Sequence, residues 1–350
     1  VEKQKMKRFS GLFEKMVSID NIRAAHAAAR RGKQHYAEVQ LVDAKPDFYL
    51  NKIKSMLISG SYRTSKYISM TKRCREKTRL IQKLPYFPDR IVHHCVVQVV
   101  SHIWDRGLIR DTYACIPGRG IHDGMRRVVV ALKDARETKY CLKMDVRQFY
   151  PSVDHNVLKT LIRHKIKDCR IISVMDEIID SVESGVPIGN YLSQYFGNLY
   201  LSGYDHWMKE EKRCRYYFRY CDDVVVLDGD KCRLHELRRE TQRYWEKELN
   251  LEMKANWQVF PVDIRGIDFL GYRFFHGYTL LRKGIAVRYK RKMAAIRSCK
   301  PMSVASIVSG AASYEGWMAH ANCYNLKKHQ HDADVDTRIA IAKQQLKEAA

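Results

Sequence analysis

The chain has 350 residues, with 63 Lys and Arg against 39 Asp and Glu, a formal net charge of +24. Hydrophobic residues make up 45% and charged residues 29%, which excludes a disordered, collagen-like or disulfide-stapled chain, and the length allows two or three domains with full cores. Excess Lys and Arg with 11% aromatics favours a nucleic-acid partner, because protein cations release the counterions of phosphates; a basic protein with no such partner is the alternative that charge leaves open.

Asp20 or Asn21 can cap a helix through the Ala-rich stretch to residue 31, where Gly32 ends it. A second helix is expected over 46–58, closed by Ser59-Gly60. Residues 61–88 are basic and broken by Pro85 and Pro88, which suits short strands and turns. Residues 89–103 read as a buried helix. Gly118-Arg119-Gly120 forms a tight loop before a helix over 122–132; it does not match G-x-G-x-x-G after a strand, so a helix-capping turn is the simpler reading. Residues 140–146 are an apolar strand ending in an acid, followed by helices over 154–165 and 192–209. Strands 215–220 and 224–227 flank a tight turn, Cys221-Asp222-Asp223. A charged helix over 231–249, extended chain over 249–260 and an apolar, aromatic stretch over 267–275 come next. From Arg282 the chain is basic and then helical. Val304, Ile307, Val308, Ala311, Tyr314 and Met318 repeat at helical spacing, giving one apolar face. Composition shifts near residue 280, where a domain boundary is expected. Apolar stretches such as 128–132 and 224–227 are far short of the roughly 18 residues of a membrane helix. Residues 1–9 are charged and lack a signal-peptide core, and the ten cysteines form no C-x-x-C pair, so reduced thiols and a cytoplasmic location are expected.

Three aspartates at strand ends carry the most chemistry. Asp145 closes one apolar strand, and Asp222 and Asp223 sit between two others. Adjacent acids repel each other, which makes such a turn a poor choice for stability. A divalent cation reverses that, and hard carboxylate oxygens suit Mg²⁺ together with substrate phosphates. Two such ions can activate an attacking hydroxyl and stabilise a leaving pyrophosphate. A solvated Asp-Asp turn is the bland alternative; it weakens once a third acid ends another apolar strand in so basic a chain.

Tyr220-Cys221-Asp222-Asp223 resembles the Y-x-D-D box of reverse transcriptases. Residues 142–153, Leu-Lys-Met-Asp-Val-Arg-Gln-Phe-Tyr-Pro-Ser-Val, resemble that family's first catalytic box. Gly185-Val186-Pro187-Ile188-Gly189 through Leu192-Ser193-Gln194 and Asn198-Leu199 resemble its template- and nucleotide-facing segment. Arg79-Leu80-Ile81 with Pro85, then Asp89-Arg90-Ile91-Val92, resemble the fingers box. Leu249-Asn250-Leu251-Glu252-Met253-Lys254 resembles the box after Y-x-D-D, Phe269-Leu270-Gly271-Tyr272 the primer grip, and Ser313-Tyr314-Glu315-Gly316-Trp317 through His320-Ala321-Asn322 the bacterial-type thumb. The boxes stand in family order over roughly residues 20 to 325, nearly the whole chain.

The resemblance implies an α+β right-hand polymerase. Fingers interleaved with the palm would occupy 1–135, a palm of antiparallel sheet with packed helices 136–280, and a helical thumb and tail 281–350. It implies RNA-templated addition of deoxynucleotides to a primer, with Asp145, Asp222, Asp223 and the Val146 carbonyl holding two Mg²⁺ ions, for which Mn²⁺ can substitute. Arg79, Phe149, Tyr150, Ile188, Gly189 and Lys254 would face the nucleotide. Arg119, Ser193, Gln194, Phe269, Leu270 and Gly271 would face template and primer. Within the family, Tyr150 corresponds to the aromatic gate that blocks a ribose 2′-hydroxyl, and Arg79 to the arginine that clamps the triphosphate. The usual lysine of the box holding Lys254 lies a few residues later.

One box departs from P-Q-G-x-x-x-S-P: the chain reads Pro187-Ile188-Gly189-Asn190-Tyr191-Leu192-Ser193-Gln194. An aliphatic residue in place of Gln, with Ser-Gln at the end, is similar to the reverse transcriptases of diversity-generating retroelements of bacteria, phages and archaea. Those copy a template-repeat RNA into adenine-mutated cDNA and work with a small basic helical accessory protein. The chain ends soon after the thumb, as those enzymes do, so RNaseH, maturase or endonuclease functions are expected elsewhere. The alternatives are a non-mutagenic bacterial enzyme of retron, group II intron or phage-defence type, and a catalytically idle RNA-binding protein on the same fold. Seven basic residues between Arg282 and Arg297 suit a grip on the template–primer backbone, or a solvated face. His93-His94-Cys95, and Cys323 with His329 and His331, lack the spacing of a zinc site.

Overall fold

The computed structural model describes residues 8–74, 77–298, 301–330 and 332–348, with side chains at all of these but 73, 74 and 77–79. Its strands are β1 (Ile68–Cys74), β2 (Lys77–Lys83), β3 (Thr112–Tyr113), β4 (Tyr140–Asp145), β5 (Tyr216–Tyr220), β6 (Asp223–Asp228), β7 (Gln258–Pro261), β8 (Ile267–Phe269), β9 (Tyr272–Phe274) and β10 (Thr279–Leu281). The chain divides into two compact units. One comprises residues up to Ile116, Met144–Cys214 and Arg238–Trp257; the other comprises Pro117–Lys143, Arg215–Leu237 and the chain from Gln258 onward.

The first unit is helical around Ile91–Asp105, a helix with buried side chains on nearly every face, as its Val-rich run dictates. Ile19–Arg30 and Tyr191–His206 pack against it. Ser18 caps Ile19–Arg30 by accepting from Asn21 N at 3.2 Å, two residues before the expected cap. Asn21 lies inside the first turn, where its backbone N–H is the one Ser18 accepts and its side-chain amide donates to the Met16 and Cys95 carbonyls. Pro46–Ile58 forms as expected. Asp154 caps His155–Lys165 through Val157 N at 3.0 Å. Cys169–Ile179, a helix with no counterpart in the sequence reading, is capped by Asp168 and buries Ile171, Ile172, Met175, Ile178 and Ile179. β1 and β2 form an antiparallel hairpin in which Lys72 faces Arg79.

The second unit holds strands in the order β5-β6-β4-β7, with β5–β6 and β4–β7 antiparallel. Helix Ile121–Ala131 packs on β5 and β9. β8, β9 and β10 form a second small antiparallel sheet. The helices Lys283–Arg297, Val304–Met318 and Ala333–Glu348 pack on one another. On the predicted apolar face of Val304–Met318, Ala311 and Met318 are the most deeply buried. Residues 249–260, expected as extended chain, are mostly irregular and become regular strand only at β7. The mixture of helix layers and antiparallel sheet is α+β, as the sequence implies.

Candidate active site

In the second unit, β5 and β6 pair so that Tyr220 faces Asp223. The loop is therefore two residues, Cys221 and Asp222, and Asp223 is the first residue of β6 instead of part of the turn. Two-residue loops are the favoured closure of such hairpins because they match strand twist. Cys221 sits at φ 53°, a left-handed conformation costing a non-glycine residue roughly 1–2 kcal/mol. Arg219, fully buried in β5, donates to the Cys221 carbonyl at 2.8 Å and braces that turn. The sequence reading missed Arg219; a cation inside an apolar strand beside Asp-Asp was the signal.

Lys143 of β4 places its Nζ 3.1 and 3.2 Å from the two carboxylate oxygens of Asp223. The same ammonium donates to the Asp268 carbonyl of β8, and the Asp268 carboxylate accepts from Arg282, just before helix Lys283–Arg297. β8 and β9 close through Leu270 at φ 53° and Gly271 at φ 88°. A Cβ on Gly271 would stand 2.6 Å from Trp317 Cζ3, so glycine is required both for the turn and for that contact. Phe269 is fully buried and Leu270 nearly so, whereas Arg119 is half-exposed in the loop before Ile121–Ala131.

In the first unit, Asp145 ends β4 and accepts from Lys254 Nζ at 2.7 Å. Backbone pairing delivers that lysine: Lys254 N donates to Asp145 O, Arg147 N donates to Glu252 O, and Val146 bridges Met253. Phe149 is buried, and Tyr150, half-exposed, packs on it with ring centres 5.3 Å apart. A Cβ on Gly197 would stand 3.0 Å from the Phe149 ring, so glycine lets helix Tyr191–His206 approach both rings. Tyr200 packs edge-on against Phe149 with ring centres 6.4 Å apart; its hydroxyl donates to Leu249 O, and burial pushes its pKa up to about 12. The Tyr150 carbonyl accepts from Val186 N, and the Ile188 carbonyl from Gln82 N of β2 at 3.0 Å. Ile188 is half-buried and Gly189 exposed. Ser193 is buried inside its helix, while Gln194 is exposed and accepts from Cys115 Sγ. Arg79 lies in β2, but its side chain, like all of Arg75, falls outside the described residues.

Among the described residues, no three His, Cys, Asp or Glu side chains gather around a common ion position, and the Asp145 and Asp223 carboxylates instead carry lysine ammonium groups. His331, one of the weighed zinc candidates, lies outside the described residues. The donor chemistry nonetheless fits a hard divalent ion. Asp145 and Asp223 are part-buried carboxylates whose hard oxygens are the donors Mg²⁺ takes, and each now holds a lysine cation in the place a metal charge would fill. Cys141, the second residue of β4, is an inert thiol because burial pushes its pKa up.

The family described as reverse transcriptase (RNA-dependent DNA polymerase) matches residues 70–274. Protein YkfC of Escherichia coli K12 is 24% identical, over 54% of this chain and 61% of that protein. The group II intron-encoded protein LtrA of Lactococcus lactis subsp. cremoris is 23% identical, over 49% of this chain and 31% of that protein. The chain thus spans less than two thirds of either relative. Apo telomerase from Candida tropicalis superposes with a TM-score of 0.52 at 12% identity, covering 85% of this chain and 62% of that one. The same telomerase with a TWJ fragment of telomeric RNA gives 0.50 at 13% identity, covering 85% and 57%. At these identities the structural likeness speaks for the right-hand polymerase fold.

Proposed function

The chain belongs to the reverse transcriptase family, the RNA-dependent DNA polymerases, and from that premise we propose that it copies RNA into DNA with Asp145, Asp222 and Asp223 as its catalytic acids. The observation that carries the reading is the ordered set of family boxes with all three acids intact, each at or beside a strand end. Asp145, Asp222 and the Val146 carbonyl would hold Mg²⁺, with Asp223 assisting; bound Mg²⁺ supplies charge neutralisation at the phosphates and a more acidic primer hydroxyl. Tyr150, held on Phe149, would exclude a ribose 2′-hydroxyl. Lys254, already on Asp145, would hold a proton beside the departing pyrophosphate. Arg79 would clamp the triphosphate, and Arg119, Ser193, Gln194 and the turn of Phe269, Leu270 and Gly271 would position the strands. Residues 1–135, 136–280 and 281–350 would serve as fingers, palm and thumb. RNA template, DNA primer and deoxynucleotides are the partners this requires.

The finer reading is mutagenic copying of a template-repeat RNA for a diversity-generating retroelement, together with a small basic accessory protein. Ile188 supports it, since an aliphatic residue there removes a polar contact worth about 0.5–1.5 kcal/mol that a Gln could make. A second reading, a non-mutagenic bacterial enzyme, is favoured by the match to a group II intron-encoded protein. Sequencing cDNA made from a defined RNA template, by wild type and Ile188→Gln, separates the two. Errors concentrated opposite adenine and reduced by Ile188→Gln support the first; uniformly low errors unchanged by the substitution support the second.

A further inference from the structure

The first unit contains a cavity of about 270 Å³ that shares Gly189 with the residues assigned to the polymerase site but otherwise draws on side chains that reading does not use. Lys33, Tyr36, Lys83, Arg90, His93 and Asn190 are among its lining residues. Two independent features suit it to a polar, anionic guest.

The first is charge. Neither Lys33 nor Arg90 forms an ion pair with a described residue, and Lys83 lies over the Tyr36 ring at 5.7 Å. Glu38 also lines the cavity, but its carboxylate accepts from Tyr86 N at 2.6 Å. Desolvation, then the field of Arg90, holds Lys33 below the ordinary lysine range. Burial, then His94 and Arg90, pushes His93 down to about 3, so its ring is neutral. Cations drawn together in this way are stabilised by an anion between them.

The second feature is unmet hydrogen bonding. His93 is 2% exposed and Asn190 5% exposed. Among the described residues His93 Nε2 and Asn190 Oδ1 have no partner, while the Asn190 amide nitrogen donates to Tyr67 Oη at 2.8 Å. Each such buried group is destabilising until something satisfies it. The aromatic ring of Tyr36 and the polar pair in the same lining match a flat base with a hydrogen-bonding edge, and the size lies just below the usual range of small-ligand sites.

We propose that this cavity binds a single nucleotide, with its phosphate on Lys33 and Arg90 and its base beside Tyr36, His93 and Asn190. The nucleotide is either free or one residue of a bound RNA strand. None of the catalytic acids lines the cavity, and binding there does not depend on polymerisation.

Binding of 5′-AMP and of an adenylate RNA pentamer, each measured with EDTA present, tests it. Wild type, Lys33→Glu, His93→Leu, Lys52→Glu and Asp222→Asn would be compared. Lys52→Glu makes the same charge change outside the cavity, and His93→Leu removes the polar atom without changing charge. For the free-nucleotide form, Lys33→Glu should weaken AMP about tenfold, the loss of one charge-assisted contact, with a smaller loss for His93→Leu. Lys52→Glu and Asp222→Asn should leave AMP affinity within about twofold of wild type. The same pattern seen with the pentamer alone assigns the site to a strand nucleotide. The proposal is overturned if Lys33→Glu and Lys52→Glu act alike on both probes, or if Asp222→Asn is the variant that abolishes binding.

Discussion

Asp145 in the first unit is met by Lys254, 109 residues further along the chain, whereas Asp223 in the second unit is met by Lys143 of the same sheet. The two lysines arrive by different means. Lys254 is carried by an irregular segment whose backbone pairs with residues 145–147, and its ammonium can leave Asp145 without breaking that pairing. Lys143 is a strand residue with a second bond, to the Asp268 carbonyl, and Asp268 holds Arg282. Similar ion pairs therefore suit different tasks: Lys254 is placed to exchange its partner, and Lys143 to brace a carboxylate against the following hairpin and helix.

The largest test of that contrast is Asp145→Asn, which should reduce RNA-templated extension by roughly 10³-fold, because it removes metal-holding charge while leaving Lys254 in place. Lys254→Ala should lower kcat by about 10²-fold, the scale of a lost general acid, with primer affinity unchanged. Lys143→Ala should act on positioning instead. About tenfold more template–primer should be needed for half-maximal rate, and kcat should be nearly unaltered. Identical kinetic signatures for the two lysine variants would break the comparison. Tyr150→Ala should raise ribonucleotide incorporation by about tenfold, measured as the ratio of kcat/KM for ribo- and deoxynucleotides. Gly271→Ala should cost at least about 1 kcal/mol of stability in thermal melts, since its φ of 88° and the nearby Trp317 ring both oppose a side chain.

The legible parts of this molecule were those set by local chemistry. Pro46 at a helix start, the helix expected over 154–165 and the apolar run ending at Asp145 each mark an element whose position the structure reproduces, with Asp154 as the cap of the second. What escaped depends on partners distant in sequence. Ser18 takes the cap because the helix already begins at Ile19, which puts Asn21 in the first turn with its side chain tied to Cys95, 74 residues away. Asp223 proved to be a strand residue because the β5–β6 register, and not the run of polar residues, decides where the loop lies. Helix Cys169–Ile179 has a cap and a periodic apolar face, so it was readable and was overlooked. At the site, the acids were visible from sequence, but Arg219 behind the turn and Lys143 on Asp223 follow from burial and sheet pairing.

The most direct measurement is primer extension on a defined RNA template with Mg²⁺, comparing wild type with Asp222→Asn while following template–primer affinity. Extension by wild type, with a fall of roughly 10³-fold in the variant and unchanged affinity, is the predicted result. Equal extension by the two proteins would contradict the assignment of Asp222 and, with it, the proposed catalytic centre.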